Sequence, residues 1–594
     1  MQLIRISTAL ILLSFGSLSF GSASQDLIKW QIWSEAAFNK AKKENKLVLL
    51  NLEAVWCHWC HVMDQETYSN PEVAQLINQH FIPIKVDHDA QPDLANQYRD
   101  YGWPATIFLN ADGTDLVKRA GYIQPASFAK LLLAIVADPT PERSARPKIL
   151  DAFALEPTLD PAIYQELVQR HQALFDSVLG GLKSNQKTLD RDHVEFALMR
   201  ARLGDAFEAN VAMKTIEASF ALIDPEWGGI YQYSTYGDWH HPHFEKIMTS
   251  QAGFMRIYAL AYQQFNKEVY LEQSNAIVAY LDEFLRSPTG AFYTSQDADL
   301  TQGEKATTYF ALSNKARRAL GIPRIDTNIY ARENGLAIEA LTALYEASND
   351  PSHLVRATAA ASEMLRSHQL QSGGFKHNAA DKTAQYLGDT LHMGAAFLQL
   401  HKVTADRHWL ALAENCGDYI RQNFKADTAG YLSGLTRPGL PVQALPNIEE
   451  NIKTTRFLNL LAHYTGEKAF REAAEHGMRY LATADIAFAR IEDSGILIAA
   501  QELANPPPHF TIVSKKGATE SESLFQIGRS QAGWNKRLEW WDIREGPLRN
   551  PDVTYPAFDK AAGYACVNRL CSTPTFTDTR YQALVDKITG PKPL

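Results

Sequence analysis

Cysteine is scarce in this chain, with five residues among 594, so a disulfide-stabilised scaffold is excluded. A surplus of basic residues is also missing, because 58 lysines and arginines face 67 acidic residues and give a net charge of −9. This balance, without a basic run, argues against a nucleic acid as partner. After the first 20 residues, no apolar run is long enough to cross a membrane. The length and ordinary globular composition indicate roughly two to four domains.

The first 24 residues have the pattern of an export signal. Arg5 precedes an apolar run over 9–20, and small residues follow at 21–24. We therefore expect cleavage near Ser24 and a periplasmic or secreted protein that keeps no transmembrane helix. The alternative is an uncleaved N-terminal anchor. Export would place the cysteines where disulfides persist.

Two cysteines, Cys57 and Cys60, lie where an apolar run ends and a helical pattern begins. The run over 47–54 predicts a buried strand. A cysteine that starts the following helix has its thiolate stabilised by backbone N–H groups and by the helix dipole. Pro104 precedes a second predicted strand over 105–109, where a cis peptide bond would lie against the cysteine pair. Together these features indicate a thioredoxin fold.

This arrangement predicts thiol–disulfide exchange. The Cys57 thiolate attacks a substrate disulfide, or Cys57 is itself attacked in the oxidised form, and Cys60 resolves the mixed disulfide. The residues predicted to surround this redox site are Trp56, His58, Trp59, Trp103 and Pro104. His58 would tune the Cys57 thiolate, and His61 is expected on the helix surface.

The segment 57–61 is also compatible with sites of other kinds. Cys-x-x-Cys-His, which ends at His61, is also the attachment pattern of c-type haem. Half of a zinc site and a static disulfide are further alternatives. The preceding strand and the proline at 104 favour the redox pair, since haem would need its own pocket and a second axial ligand. The redox interpretation requires no cofactor and no metal.

The other three cysteines lie in the C-terminal half of the chain. Cys566 and Cys571 are five positions apart, which suits a small-loop disulfide better than two ligands on one helix face. A structural disulfide and an accessory redox pair are both open interpretations, whereas a metal site is disfavoured. Cys416 lies in a helical pattern and is predicted to be a buried apolar thiol.

The chain divides into a signal peptide (1–24), a thioredoxin-like domain (25–137), a proline-rich linker (138–147), a helical domain (148–505) and a C-terminal extension (506–594). The helical domain alternates paired amphipathic helices with glycine–aromatic loops. The spacing of these loops exceeds the periods of common helical solenoids, which favours a closed (α/α) toroid. The predicted fold class is therefore multidomain: an α/β thioredoxin-like fold, an all-α toroid and a small α/β extension that closes the toroid.

Polar residues gather in the loops of the predicted toroid. Glu245 with Asp297 or Asp299 would form a carboxylate pair that flanks a glycosidic bond. His243 and Asp389, which begins a later helix, complete this candidate site.

Simpler explanations exist for the same residues. The aspartates would cap helices, the histidines would pack against aromatic rings, and Lys246 would pair with Glu245. A patch of His240, His241 and His243 is an alternative metal site. We therefore favour a glycan-binding, peptide-binding or structural role for the toroid over catalysis.

Motifs along the whole chain resemble one known family. The matching segments are 56–63, 84–87, 102–104, 242–246, 292–293, 297–299 and 334–338, with Cys566, Asn568, Cys571 and Pro574 near the end. They are similar, in the same order, to the thioredoxin-domain proteins typified by spermatogenesis-associated protein 20. The resemblance implies a thioredoxin-like domain joined to a six-hairpin (α/α)6 toroid, and a redox role for Cys57 and Cys60. It also implies a toroid similar in fold to those of sugar epimerases and glycosidases.

The chain departs from this family pattern in two toroid loops. Ile-Met-Thr-Ser at 247–250 replaces Met-Leu-Tyr-Asp, and Gly-Asp-Thr-Leu-His at 388–392 replaces Asp-Asp-Tyr-Ala-Phe. Both loops lie where a sugar would be expected, which argues against a carbohydrate activity. A third departure is from thioredoxins at large, since Asn51 replaces the buried carboxylate that accepts a proton. Glu53 follows on the same strand face, and we expect slow resolution of the mixed disulfide.

The sequence thus predicts an exported thiol–disulfide oxidoreductase. Its substrates would be protein or peptide thiols and disulfides, and a separate redox partner would recycle it. The toroid would position a partner or bind a glycan. Two other classes stay open: a carbohydrate-active or carbohydrate-binding protein with an accessory redox domain, and a c-type haem protein.

Overall fold

The structure, a computed structural model, describes residues 27–142, 152–382, 385–567 and 570–589. The predicted signal peptide lies outside the described residues, so cleavage near Ser24 stays a prediction. Within the described ranges, every helix is too short or too polar to cross a lipid bilayer.

The N-terminal unit is a four-stranded sheet with helices on both faces. Its strands are β1 (Leu47–Glu53), β2 (Phe81–Asp87), β3 (Ala105–Leu109) and β4 (Asp115–Ala120), and its α-helices are Glu35–Glu44, His58–Met63, Pro71–His80, Pro92–Tyr98 and Pro125–Ala137. The strand order is β2-β1-β3-β4, with β1 parallel to β2 and antiparallel to β3. The thioredoxin-like fold predicted from the sequence is therefore confirmed.

The strand β1 is central because its side chains are apolar on both faces. Leu49 packs with Phe108 on one face, whereas Val48 and Leu50 pack with Phe38 on the other. Alternate residues thus supply two separate cores, and the cysteine motif follows directly after this rigid strand.

In the part of the helical unit that the structure describes, there are six inner and six outer helices, as the toroid prediction requires. The inner helices are Arg191–Arg202, Met248–Phe265, Ala331–Ser348, Leu387–Thr404, Ile448–Thr465 and Ser494–Ala504. The outer helices are Pro161–Leu174, Ala206–Ser219, Glu268–Tyr280, Pro351–Ser367, Arg407–Asn423 and Lys468–Leu481. Arg191–Arg202 contacts both the next and the last inner helix, so the inner ring closes. Three short helices lie outside this ring: Thr307–Phe310, Asn314–Leu320 and Ala484–Ala487.

The glycine–aromatic loops are the turns that repeat around the toroid. Five of them form a short antiparallel bridge: Phe175 with Leu182, Ile223 with Ile230, Arg286 with Phe292, Gln369 with Phe375, and Lys425 with Tyr431. Glycine is required in the second loop, since Gly228 has a φ of 68° and a Cβ there would lie 2.2 Å from a backbone oxygen of an outer helix. Short strand pairs join other loops: Tyr233–Ser234 with Pro242–His243, and Lys246–Ile247 with Ser295–Gln296 and Ile325–Asp326.

The C-terminal unit repeats the strand order of the N-terminal sheet, which the sequence did not reveal. Its strands are His509–Val513, Arg537–Trp541, Ala562–Val567 and Leu570–Cys571, and its α-helices are Thr519–Arg529 and Asp578–Thr589. The first strand is parallel to the second and antiparallel to the third, as β1 is to β2 and β3. The extension thus has a thioredoxin-like sheet without a Cys-x-x-Cys pair. The predicted residue boundaries between the units stay predictions.

The thioredoxin-like unit lies across one end of the toroid. Arg99 pairs with Glu449 at 3.0 Å, and Arg437 pairs with Asp93. Leu440 of a toroid loop completes one core of the N-terminal sheet. The helix that carries the cysteines therefore faces the toroid.

Candidate redox site

The disulfide lies at the start of the helix His58–Met63, which we call the redox helix. Cys57 and Cys60 are bonded to each other. Cys57 has an extended backbone and caps the helix, and its Sγ accepts a hydrogen bond from the Cys60 N–H at 3.2 Å. Backbone dipoles at this end of a helix favour a thiolate. The geometry therefore suits Cys57 as the attacking sulfur.

Apolar side chains cover this disulfide. They are Ala54, Trp56 and Trp103 of the thioredoxin-like unit and Ile247 of the toroid. Cys57 is 4% exposed and Cys60 is 3% exposed, so little sulfur surface is left for a substrate. The bond between Trp103 and Pro104 is cis, as the sequence predicts.

The two tryptophans of the motif have different surroundings. Trp56 is buried, and its Nε1 donates a hydrogen bond to Asp89 Oδ2 at 2.8 Å. Trp59 is 36% exposed, and the Lys305 ammonium lies 5.8 Å from the centre of its ring. Trp56 thus walls the disulfide, whereas Trp59 lies at the outer edge of the site.

His61 is not the surface residue that the sequence predicted. It is buried because the toroid loop 297–305 lies across the redox helix. Its Nδ1 lies 3.1 Å from Asp299 Oδ2, and its Nε2 lies 3.7 Å from Asp297 Oδ2. His58 Nδ1 lies 2.8 Å and 3.0 Å from the two Asp299 oxygens. Asp299 therefore bridges both histidines of the motif.

Three buried carboxyl groups, those of Glu245, Asp297 and Asp299, lie close to these histidines, and their surroundings shift their pKa values. Burial raises the pKa of Asp297 to about 6 against the opposing effect of His61, and it raises the pKa of Glu245 to about 8 with help from Asp299 and Asp297. Burial also acts to raise the pKa of Asp299, but its hydrogen bonds with His58 and His61 lower it overall. Burial acts to lower the pKa of His61, and the hydrogen bond with Asp299 raises it overall.

The carboxylates predicted to act on a sugar thus face the redox helix. Glu245, Asp297 and Asp299 lie outside the wall of the toroid cavity described below. The reason is that the loops that carry them pack on the thioredoxin-like unit. This placement does not support a glycosidase pair.

The adjacent histidines do not form the alternative metal patch. His241 pairs with Asp238 at the surface, with His241 Nδ1 2.9 Å from Asp238 Oδ1. His243 instead stacks on Tyr233 with 4.4 Å between ring centres. Its Nδ1 lies 4.0 Å from Glu245 Oε2, so His243 borders the cluster beside the redox helix.

Asp389 links the two units instead of facing a ligand. Its Oδ1 accepts a hydrogen bond from the Arg332 N–H at 3.0 Å and lies 2.8 Å from His377 Nδ1. His377 Nε2 lies 2.6 Å from the carbonyl oxygen of Asp89 in the thioredoxin-like unit. The sequence predicts Asp389 in the candidate toroid site and does not reveal its partner His377.

Asn51 and Glu53 form a polar chain beside the redox helix. Tyr68 Oη donates to Asn51 Oδ1 at 3.2 Å, and Asn51 Nδ2 donates to Glu53 Oε2 at 3.1 Å. Burial raises the pKa of Glu53 to about 7 although Lys85 Nζ, at 2.9 Å, opposes the shift. Asn51 is therefore used as a structural link.

A buried triad of charges holds the toroid strand that ends at Ile247. Asp224 Oδ2 lies 2.8 Å from Lys246 Nζ and 2.7 Å from Arg317 Nη1. All three side chains are fully buried. The predicted pair of Lys246 with Glu245 is therefore wrong, since Lys246 points to Asp224.

A cavity of about 620 Å³ occupies the centre of the toroid. Trp56, Trp103 and Ile247 line this cavity and also pack on the disulfide, so these three side chains separate the cavity from Cys57 and Cys60. Charged residues that the sequence analysis missed complete its wall, among them Arg191, Arg332, Glu339, Glu449, Glu450 and Arg456. Four of these lie in the first turns of inner helices, and that position is the signal from which they could have been found.

Glu450, which lines this cavity, makes the stability of the folded protein depend on pH. Burial raises its carboxyl pKa to about 8, with Arg332 opposing the shift. Between the usual pKa of a glutamate and about 8, the folded state keeps a proton that the unfolded state loses, so stability falls as pH rises. We expect Glu450→Gln to raise the melting temperature by several degrees at pH 8.5 and little at pH 5, as measured by calorimetry. Glu472→Gln on the outer surface is the control, and an equal effect of Glu450→Gln at both pH values would contradict the prediction.

The remaining cysteines are a bonded pair and a buried thiol. Cys566 and Cys571 are disulfide-bonded and lie opposite each other on adjacent antiparallel strands. The pair joins two adjacent strands and neither cysteine caps a helix, so it fits the structural interpretation better than the redox one. Cys416 is a buried free thiol, as predicted, and burial raises its pKa well above the usual value.

The N-terminal unit is similar to known proteins. A family model described as Thioredox_DsbH, a protein of unknown function, DUF255, matches residues 14–137. Mouse spermatogenesis-associated protein 20 is 28% identical over 307 residues, which are 46% of this chain and 39% of that protein. The disulfide bond reductase DsbH of Chlamydia pneumoniae is 24% identical over 102 residues, which are 15% of this chain and 61% of that protein. The matched region thus spans about two fifths of the length of the mouse relative.

Among solved structures, a D-mannose isomerase is similar to the toroid. It is 12% identical, covers 58% of this chain and 98% of its own, and has a TM-score of 0.45. The thioredoxin-like unit thus matches the Thioredox_DsbH model, the inner and outer helices form a toroid, and the chain is homologous to spermatogenesis-associated protein 20 over about half of the chain's length.

Proposed function

We propose that this protein is a thiol–disulfide oxidoreductase in which Cys57 and Cys60 are the working pair. The observation that carries the proposal is the disulfide at the start of the redox helix, beside a cis-proline on a thioredoxin sheet. The disulfide bond reductase DsbH of Chlamydia pneumoniae, which matches this part of the chain, supports the same reaction class.

The exchange takes place in two steps. A substrate thiolate attacks Cys57 Sγ, the bond between Cys57 and Cys60 breaks, and Cys60 leaves as a thiolate. A second substrate thiolate then attacks the mixed disulfide and releases the Cys57 thiolate. The substrate loses two electrons and becomes a disulfide, while the protein gains them as a dithiol. The reverse sequence reduces a substrate disulfide.

The test is a redox titration of the full chain against glutathione buffers. Thiols are alkylated at each potential and counted by mass spectrometry. We expect one reversible two-electron transition that Cys57→Ser abolishes and that a Cys566→Ser/Cys571→Ser variant retains. A chain without a transition in the glutathione range would refute the proposal, and Cys57–Cys60 would then be a structural bridge.

The toroid controls access to the pair. Ile247 is 7% exposed, packs on both cysteines and forms part of the cavity wall. We expect Ile247→Ala to speed the reduction of the disulfide by glutathione several-fold, because it removes part of the cover. The reduction potential should change little, since neither the disulfide nor the redox helix is altered.

The measurement is the change in tryptophan fluorescence after rapid mixing with the thiol. Leu133→Ala, an exposed apolar position of the thioredoxin-like unit, is the control. Equal rates for wild type and Ile247→Ala would show that the toroid does not limit access.

We further propose that the protein is exported. The support is the charged, apolar and small-residue pattern of the first 24 residues, which the sequence alone supplies. N-terminal sequencing of the protein from its native host should begin near Gln25. An intact Met1 would refute cleavage.

A further inference from the structure

The cluster where the 297–305 loop meets the redox helix has the composition of a metal site. The coordinating atoms of His61, Asp297 and Asp299 all lie within 4.8 Å of one another, and all three residues are buried. One of them comes from the redox helix and two from the toroid. The cluster therefore forms only where the two units pack against each other.

One carboxylate oxygen in this cluster lacks a partner. Asp297 is 1% exposed, and its Oδ2 has no hydrogen bond. The nearest ring nitrogen, His61 Nε2, is 3.7 Å away, which is too long for a hydrogen bond. A buried oxygen without a partner is destabilising, and more so if it is charged, so a cation between these atoms would remove that cost.

The charges of the surrounding residues also favour a cation. Glu245 adds a third buried carboxyl group, and its Oε2 is likewise without a hydrogen bond. Among the described residues, no lysine or arginine nitrogen lies within 4.0 Å of Glu245, Asp297 or Asp299. Arg324 acts on Asp297 only from farther away. The cluster therefore offers buried, unpartnered carboxyl oxygens, and among the described residues no lysine or arginine side chain is close enough to occupy them.

We propose that His61, Asp297 and Asp299 bind one divalent transition-metal ion between the redox helix and the toroid. Imidazole and carboxylate together suit zinc and its first-row neighbours, whereas magnesium and calcium prefer oxygen alone. Asp299 also contacts His58, so the second motif histidine supports the ligand Asp299 from behind. The ion would tie the covering loop to the helix that starts at Cys57.

The experiment uses the oxidised full chain, because a disulfide prevents Cys57 and Cys60 from acting as ligands. The protein is stripped with a chelator, titrated with Zn²⁺ by calorimetry and analysed for bound zinc. We expect tight binding at this site that weakens at least 100-fold in His61→Gln and in Asp297→Asn. Cobalt in place of zinc should give visible absorption bands that the same variants lose.

Two controls separate this site from others. Asp238→Asn removes a histidine–aspartate pair at the surface and should leave binding unchanged. His193→Gln alters a second buried group, His171 with His193 and Glu492, whose atoms are also close enough to hold an ion. Binding that survives in both His61→Gln and Asp297→Asn, or that only His193→Gln removes, would overturn the proposal. Wild-type protein that binds no zinc would overturn it whatever the variants do.

Discussion

A Cys60→Ser variant is expected to hold a substrate covalently through Cys57. After Cys57 attacks a substrate disulfide, only Cys60 is placed to displace the substrate again, since the two are directly bonded in the oxidised structure. Serine keeps the volume near the helix start but cannot attack the mixed disulfide. With oxidised glutathione as substrate, the adduct should therefore form and persist, whereas wild type should release it.

The adduct is measured by mass spectrometry of the intact protein under non-reducing conditions. Cys57→Ser/Cys60→Ser should form none, which assigns the linkage to Cys57. Cys416 is buried with a raised pKa, so it should not compete. An adduct on wild type that is as stable as that on Cys60→Ser would show that Cys60 is not the resolving residue.

Replacement of Asp224 by alanine is expected to be the most destabilising single change in the toroid, at about 3–5 kcal/mol. The substitution leaves Lys246 and Arg317 buried with no counter-charge. Lys246 precedes Ile247, which covers the disulfide, so the effect should reach the redox site. We expect a lower urea midpoint for the toroid together with faster reduction of Cys57–Cys60 by glutathione.

The matched control is Asp238→Ala, which removes a surface ion pair on the same face of the chain. Exposed ion pairs contribute little to stability, so the urea midpoint of this variant should stay near that of wild type. A variant in which Asp224, Lys246 and Arg317 are all replaced by apolar residues should recover much of the loss, since no buried charge remains unpaired. Similar midpoints for Asp224→Ala and Asp238→Ala would contradict the argument.

Local patterns sufficed for the thioredoxin-like unit. An apolar run that leads to Cys57, and a proline before the run at 105–109, specify a strand, a helix start and a cis bond within short stretches of chain. The glycine–aromatic pattern likewise predicts where the toroid turns lie. A turn that packs closely against a neighbouring helix requires glycine, because a Cβ would clash there.

Residues whose role depends on a distant partner were assigned less well. The helical pattern alone predicts His61 at the helix surface, but the 297–305 loop covers it. Lys246 was paired with its sequence neighbour Glu245, whereas the close partner is Asp224, 22 residues away. The repeated thioredoxin-like sheet at the C-terminus was missed because its strands carry no motif.

The sequence by itself determined that this protein has a redox-type cysteine pair on a thioredoxin-like fold and a helical toroid, since these follow from periodicity and from motifs a few residues long. Only the tertiary structure decided that the toroid covers the pair, that His58 and His61 both contact Asp299, and that a cavity lies behind the side chains that cover the disulfide. The physical reason is that these contacts join residues more than 180 positions apart. Packing between the units and the pairing of buried charges bring these residues together, and a local sequence pattern predicts neither.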